Sequence, residues 1–151
     1  MYKLIFIVLF SGLWGSIDTQ PDFIKPIEND VDIASAFGNR YHPVLETERL
    51  HSGIDYAVEE GTKVIASAPG KVTKTGRRST AGYIVVIEHA SGFESHYYHL
   101  SDQQEVEVGQ KVDGGELIGY SGNTGMVDGP ILHFEIHKDD EPVDPMQYLS
   151  D

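Results

Sequence analysis

Residues 129–137 read GPILHFEIH, and apolar and polar positions alternate through them. On an extended strand Leu132, Phe134 and Ile136 fall on one face, and Ile131, His133, Glu135 and His137 on the other. The first set predicts a core face. Similar runs recur from Phe37 onward, namely KVIASA, KVTKT, YIVVIEH, FESHYYHL and KVDGGELIGY. Each is β-branched or alternating, and Gly, Pro, Asn or Ser separates it from the next. No segment keeps an apolar period of 3.6 over the length of a helix. The pattern predicts an all-β domain, a compact antiparallel sandwich or small barrel.

Residues 58–64 read VEEGTKV and residues 106–112 read VEVGQKV, the same at five of seven positions. Each copy sets a glycine turn ahead of a strand, which predicts two similar hairpin units packed together. APGKV followed by VGQKV and LIGY is also what a lipoyl or biotinyl carrier domain looks like. Such a carrier needs a lysine at a hairpin tip, and residues 66–69 (ASAP) offer none.

At the N-terminus Lys3 precedes a nearly unbroken apolar run at residues 4–15 (LIFIVLFSGLWG), followed by SIDTQPD. The run is shorter than the ~20 residues that span a bilayer. It reads as a secretory signal peptide over residues 1–16, with an uncleaved anchor as the alternative. Both place the working domain outside the cytoplasm. Residues 17–33 carry two prolines and several acids without a period and are expected to be a linker or lead-in segment, with the domain proper over 34–151.

Among 151 residues there is no cysteine, which excludes disulfides, thiolate metal ligands and a cysteine nucleophile. The net charge of −13 opposes contact with a nucleic-acid backbone or an anionic membrane surface.

Seven histidines remain to be explained. A hydrolytic zinc ion takes three protein ligands from His, Asp and Glu and leaves a fourth position open. His51 and Asp55 are a candidate pair. On a regular strand positions i and i+4 lie ~13 Å apart, so Gly53 between them must permit a bulge or turn. His133, on the non-core face of its strand, is a third candidate. His99 in SHYYHL is a fourth, and strict alternation puts it on one face with Tyr97, opposite Tyr98, Leu100 and His96.

Taken in order, FGNRYHPVLETERLHSGIDYA, GTKVIASAPGKV, SHYYHLS, VGQKV, IGYSGNTG, GPILHFEIH and PVDPMQYL resemble the M23 family of zinc endopeptidases, of lysostaphin or LytM type, over about residues 36–149. The resemblance implies a LytM-type antiparallel fold with a substrate groove. It further implies zinc held by His51, Asp55 and His133, and cleavage of peptide cross-links in bacterial peptidoglycan. It gives His99 the task of orienting the attacking water or stabilising the oxyanion. The first histidine of the family's HxH motif falls on Ile131, and there the pattern breaks. His137 lies ~13 Å along the strand from His133 and is expected at the far end of the groove, if it is near the groove at all. His42 lies in a loop and stays open as a replacement. Glu135 is expected to accept a hydrogen bond from a ligand imidazole or a neighbouring strand rather than to ligate, with an exposed solubilising glutamate as the alternative. Two functions follow: a zinc endopeptidase, attenuated by Ile131, or an impaired module that binds peptidoglycan or activates a cell-wall amidase or divisome partner. A monomer is expected.

Overall fold

The computed structural model describes residues 19–28, 30–42 and 46–150; the leader expected at 1–16 lies outside them. Each of the β-branched and alternating runs forms strand, and five further strands lie outside those runs. In chain order they are β1 (Ile33–Ser35), β2 (Gly38–His42), β3 (Thr47–His51), β4 (Ile54–Tyr56), β5 (Lys63–Ile65), β6 (Gly70–Arg78), β7 (Gly82–Glu88), β8 (Phe93–Gln104), β9 (Lys111–Val112), β10 (Leu117–Ser121), β11 (Leu132–Lys138) and β12 (Glu141–Val143). Among the described residues the only helical turns are short 3-10 segments at Ala90–Gly92 and Pro145–Gln147.

The main sheet runs β1-β4-β11-β8-β7-β6-β9, with β10 bridging β8 to β5 and β12 paired to β11. Its named strands pair antiparallel throughout. β2 and β3 form a separate two-stranded hairpin. This is the antiparallel all-β fold that the alternation predicts.

Leu132, Phe134 and Ile136 of β11 are fully buried, and Tyr97 and Leu100 of β8 join them in the core. Each such side chain contributes about 1.5–3 kcal/mol relative to exposure. Phe23 and Ile27, from the segment read as a lead-in, belong to the same core. Backbone bonds from Ile24 to Ser67 and from Ser150 to Phe23 fasten that segment down.

The repeated heptads adopt matching turns. Val58 and Val64, like Val106 and Val112, are buried; Gly61 and Gly109 have φ of +86° and +93°. The amide of Thr62 donates to Glu59 and that of Gln110 to Glu107, so each glycine supplies the left-handed residue of the same turn.

Candidate metal centre and groove

Three neighbouring strands place a row of side chains on one face of the sheet. Asp55 of β4 pairs directly with His133 of β11, and His133 pairs with Tyr98 of β8. His51 arrives from the other sheet: it ends β3, and Ser52 and Gly53 carry the chain across to β4. Gly53 is required by space, because a Cβ there would lie 2.3 Å from the Phe134 carbonyl oxygen and 2.8 Å from Glu135 Cγ. The glycine between His51 and Asp55 thus lets the chain press against β11 and bring both side chains to His133.

Their donor atoms converge. His51 Nε2 lies 3.2 Å from His133 Nδ1 and 3.2 Å from Asp55 Oδ2, and Asp55 Oδ1 lies 2.6 Å from His133 Nδ1. Ligand atoms around a tetrahedral zinc with bonds of ~2.0 Å sit about 3.3 Å apart, so the set fits such an ion with small adjustment. The outward nitrogens have acceptors behind them. His51 Nδ1 donates to the Ala36 carbonyl at 2.7 Å and also touches the Arg40 guanidinium; His133 Nε2 donates to Glu135 Oε1 at 2.9 Å. Backing of this kind fixes the tautomer of a metal-binding histidine.

Charge is strongly coupled here. Burial works to raise the Asp55 pKa, but the His133 hydrogen bond and the charges of His133, His51 and Arg40 outweigh it and hold the carboxyl below its ordinary value. Burial works to lower His133, and hydrogen bonds to Asp55 and Glu135 overcome it, pushing the imidazole up to about 9. Glu135 is buried too, yet His133, His137 and Ser52 together hold it far below the usual carboxylate range. Glu135 is thus the acceptor behind His133, as the strand spacing predicts.

His99 reaches the same groove by breaking the alternation. Its φ is +62°, in the middle of a strand. Tyr97 and Leu100 therefore both face the core, while Tyr98 stacks on the His133 ring at 5.6 Å and His99 meets it edge-on at 6.2 Å. The expected grouping of His99 with Tyr97, opposite His96, is corrected accordingly: the left-handed residue puts Tyr98 and His99 on one side. His96 shares that side, directly across from Glu135. The His99 backbone amide donates to Ala81 and its Nδ1–H to the Thr124 carbonyl, both at 2.8 Å, which leaves Nε2 toward the groove. Burial lowers its pKa, with the Thr124 carbonyl opposing.

The groove, about 580 Å³, is lined by His51, Asp55, His99, Ile131, His133 and Glu135, and also by Arg40, Arg49, Tyr98 and Met126. Ile131 faces it, as its place on the His133 side of the strand requires. His137 is not at the groove; its Nε2 lies 2.6 Å from Glu135 Oε2 and its ring stacks on His96. The side chain of His42, at the end of β2, lies outside the described residues. Arg40 and Arg49 were not legible as groove residues, because they arrive by direct pairing across the β2–β3 hairpin. The signal that carried them was the charged alternation of TERLH, which reads equally well as a solvent face.

Comparison with known proteins assigns the chain to a family. The family model described as "Peptidase family M23" matches residues 49–145. The DD-carboxypeptidase/endopeptidase Mpg of Neisseria meningitidis is 49% identical over 114 residues, covering 76% of this chain and 26% of that protein. The peptidoglycan DD-endopeptidase ShyA of Vibrio cholerae is 42% identical over 123 residues, covering 81% and 28%. The chain thus spans about a quarter of the length of these relatives. A solved structure described as a zinc-containing peptidase from Vibrio cholerae superposes with a TM-score of 0.80 at 37% identity, over 86% of this chain and 40% of that one. The chain belongs to peptidase family M23.

Proposed function

We propose that the chain is a zinc-dependent endopeptidase that cuts peptide cross-links of peptidoglycan outside the cytoplasm. The convergence of His51 Nε2, Asp55 Oδ and His133 Nδ1 beside His99 supports this most directly. Zinc held by those three supplies electrostatic stabilisation of the charge that develops on the scissile carbonyl. His99, neutral near pH 7 with Nδ1–H committed to Thr124, offers Nε2 to orient the attacking water and take its proton. Arg40 and Arg49 give the groove positive charge in a chain of net −13, suited to the carboxylates of a stem peptide. Ile131 contributes no proton chemistry, and activity is reduced for want of a second imidazole.

The apolar side chain at 131 also favours a second reading, a module that binds peptidoglycan or activates a cell-wall amidase. Incubating the purified chain with zinc and isolated peptidoglycan, with muropeptides read by mass spectrometry, separates them. Released cross-link fragments that Asp55→Ala abolishes support the endopeptidase. Retention on peptidoglycan with no fragments at full zinc occupancy supports the module.

A further inference from the structure

A second cluster of side chains with metal-ligating donor atoms lies behind the first. Glu135 reaches in two directions: Oε1 accepts from His133, while Oε2 lies 2.6 Å from His137 Nε2 and 3.8 Å from His96 Nδ1. His96 sits directly across the sheet from Glu135, and His137 follows Glu135 by two residues on the same face. One donor atom from each of the three falls within 4.8 Å of the others. Glu135 is 5% and His96 7% exposed, so these are built-in groups, not surface side chains that happen to meet.

We propose that His96, Glu135 and His137 form a second site for a divalent cation of the zinc class, sharing Glu135 with the first. Two imidazoles and a carboxylate are a donor set that suits such ions. The separations of 2.6 and 3.8 Å bracket the ~3.3 Å between ligand atoms on a tetrahedral ion. His96 also has the carboxylate backing of a metal-binding histidine. Its Nε2 lies 2.9 Å from Glu94 Oε2, which leaves Nδ1 as the nitrogen turned toward Glu135.

Two rearrangements accompany binding. The rings of His96 and His137 are stacked at 4.1 Å and 7°, and in-plane lone pairs of parallel rings do not meet at one ion, so His137, the more exposed, must rotate. The Tyr98 hydroxyl, 2.8 Å from His96 Nδ1, must yield that nitrogen. Both cost free energy, so this equivalent is the weaker of two.

Metal-free full-length protein is titrated with cobalt and then with zinc, following visible absorption and the metal content after gel filtration. The expected result is two equivalents for the unchanged chain. Asp55→Ala keeps the weaker one, and His137→Gln and His96→Gln each keep the tighter one, with far-ultraviolet circular dichroism confirming the fold. A single equivalent lost in Asp55→Ala, or a weaker equivalent that survives both histidine substitutions, overturns the proposal. A single equivalent lost in His137→Gln and retained in Asp55→Ala keeps this site and removes the one assigned to the peptidase.

Discussion

Asp55 and His133 sit opposite one another on β4 and β11, and their side chains meet at 2.6 Å between Oδ1 and Nδ1. Cross-strand pairing fixes this approach without any loop, so the carboxylate and imidazole are held by the sheet itself. Zinc placed there with His51 stabilises the folded state by mass action, about 4 kcal/mol at a thousandfold excess over Kd. For a domain of this size that is a rise in Tm of roughly 10 °C. Calorimetry with and without zinc measures it. Asp55→Ala should remove the shift due to the tighter equivalent, and a full shift in that variant would show that the ion binds elsewhere.

Much of this centre was readable in advance, and the failures have physical causes. The alternation of residues 131–136 separates core from groove correctly, because burial on one face of a strand leaves a period of two in the sequence. The same rule fails at His99, where a non-glycine residue at φ +62° inverts every side after it, and nothing in YYHL marks such a residue. Distance along the strand rightly kept His137 out of the groove, but it gave no hint of how the two rings are linked. Its separation from His133 is that of a strand, but Glu135 between them bridges both. Arg40 and Arg49 depend on how one hairpin folds over another sheet, a long-range relationship that local pattern does not encode.

Gly53 makes the turn that unites His51 with Asp55, so Gly53→Ala tests the local geometry. The added methyl would meet the Phe134 carbonyl at 2.3 Å, an atom that cannot rotate away. The strands must part, at about 1–3 kcal/mol. Urea unfolding should show that loss together with weaker zinc binding. Unchanged stability and affinity would mean that Gly53 does not set the approach of β4 to β11.

His89 gives a pH dependence remote from the groove. It is 7% exposed, with Nδ1 2.7 Å from the Pro69 carbonyl and Nε2 2.7 Å from Ser95 Oγ. Burial holds its pKa below the ordinary 6.5, with the Pro69 carbonyl and Glu94 opposing. The unfolded chain therefore takes up this proton first as pH falls. Stability from neutral His89 is full above about 6.5 and is lost as pH falls through the depressed native value, with a slope of up to ~1.4 kcal/mol per pH unit. Denaturant unfolding between pH 7.5 and 5 should show a shallower slope in His89→Gln than in the unchanged chain. Equal slopes would place the protonation elsewhere.

Ile131 decides between the two proposed functions. It lines the groove beside His133, two positions before it on the same face, so an imidazole there would project toward the metal centre and not into the core. The position is only partly buried, and its backbone bridges Gly122, which side-chain replacement leaves intact. Ile131→His should therefore fold and bind zinc as before. A positioned acid/base group is worth ~10²- to 10⁴-fold in rate, so peptidoglycan hydrolysis should rise by one or more orders of magnitude. Zinc content, measured alongside, keeps a binding defect from being read as a catalytic one. Strong activity in the unchanged chain that His99→Ala abolishes and Ile131→His leaves alone would mean that one histidine suffices or that another residue already fills the role. No hydrolysis by either form at full occupancy would remove the endopeptidase and leave the binding or activating module, since the missing imidazole would have been supplied without effect.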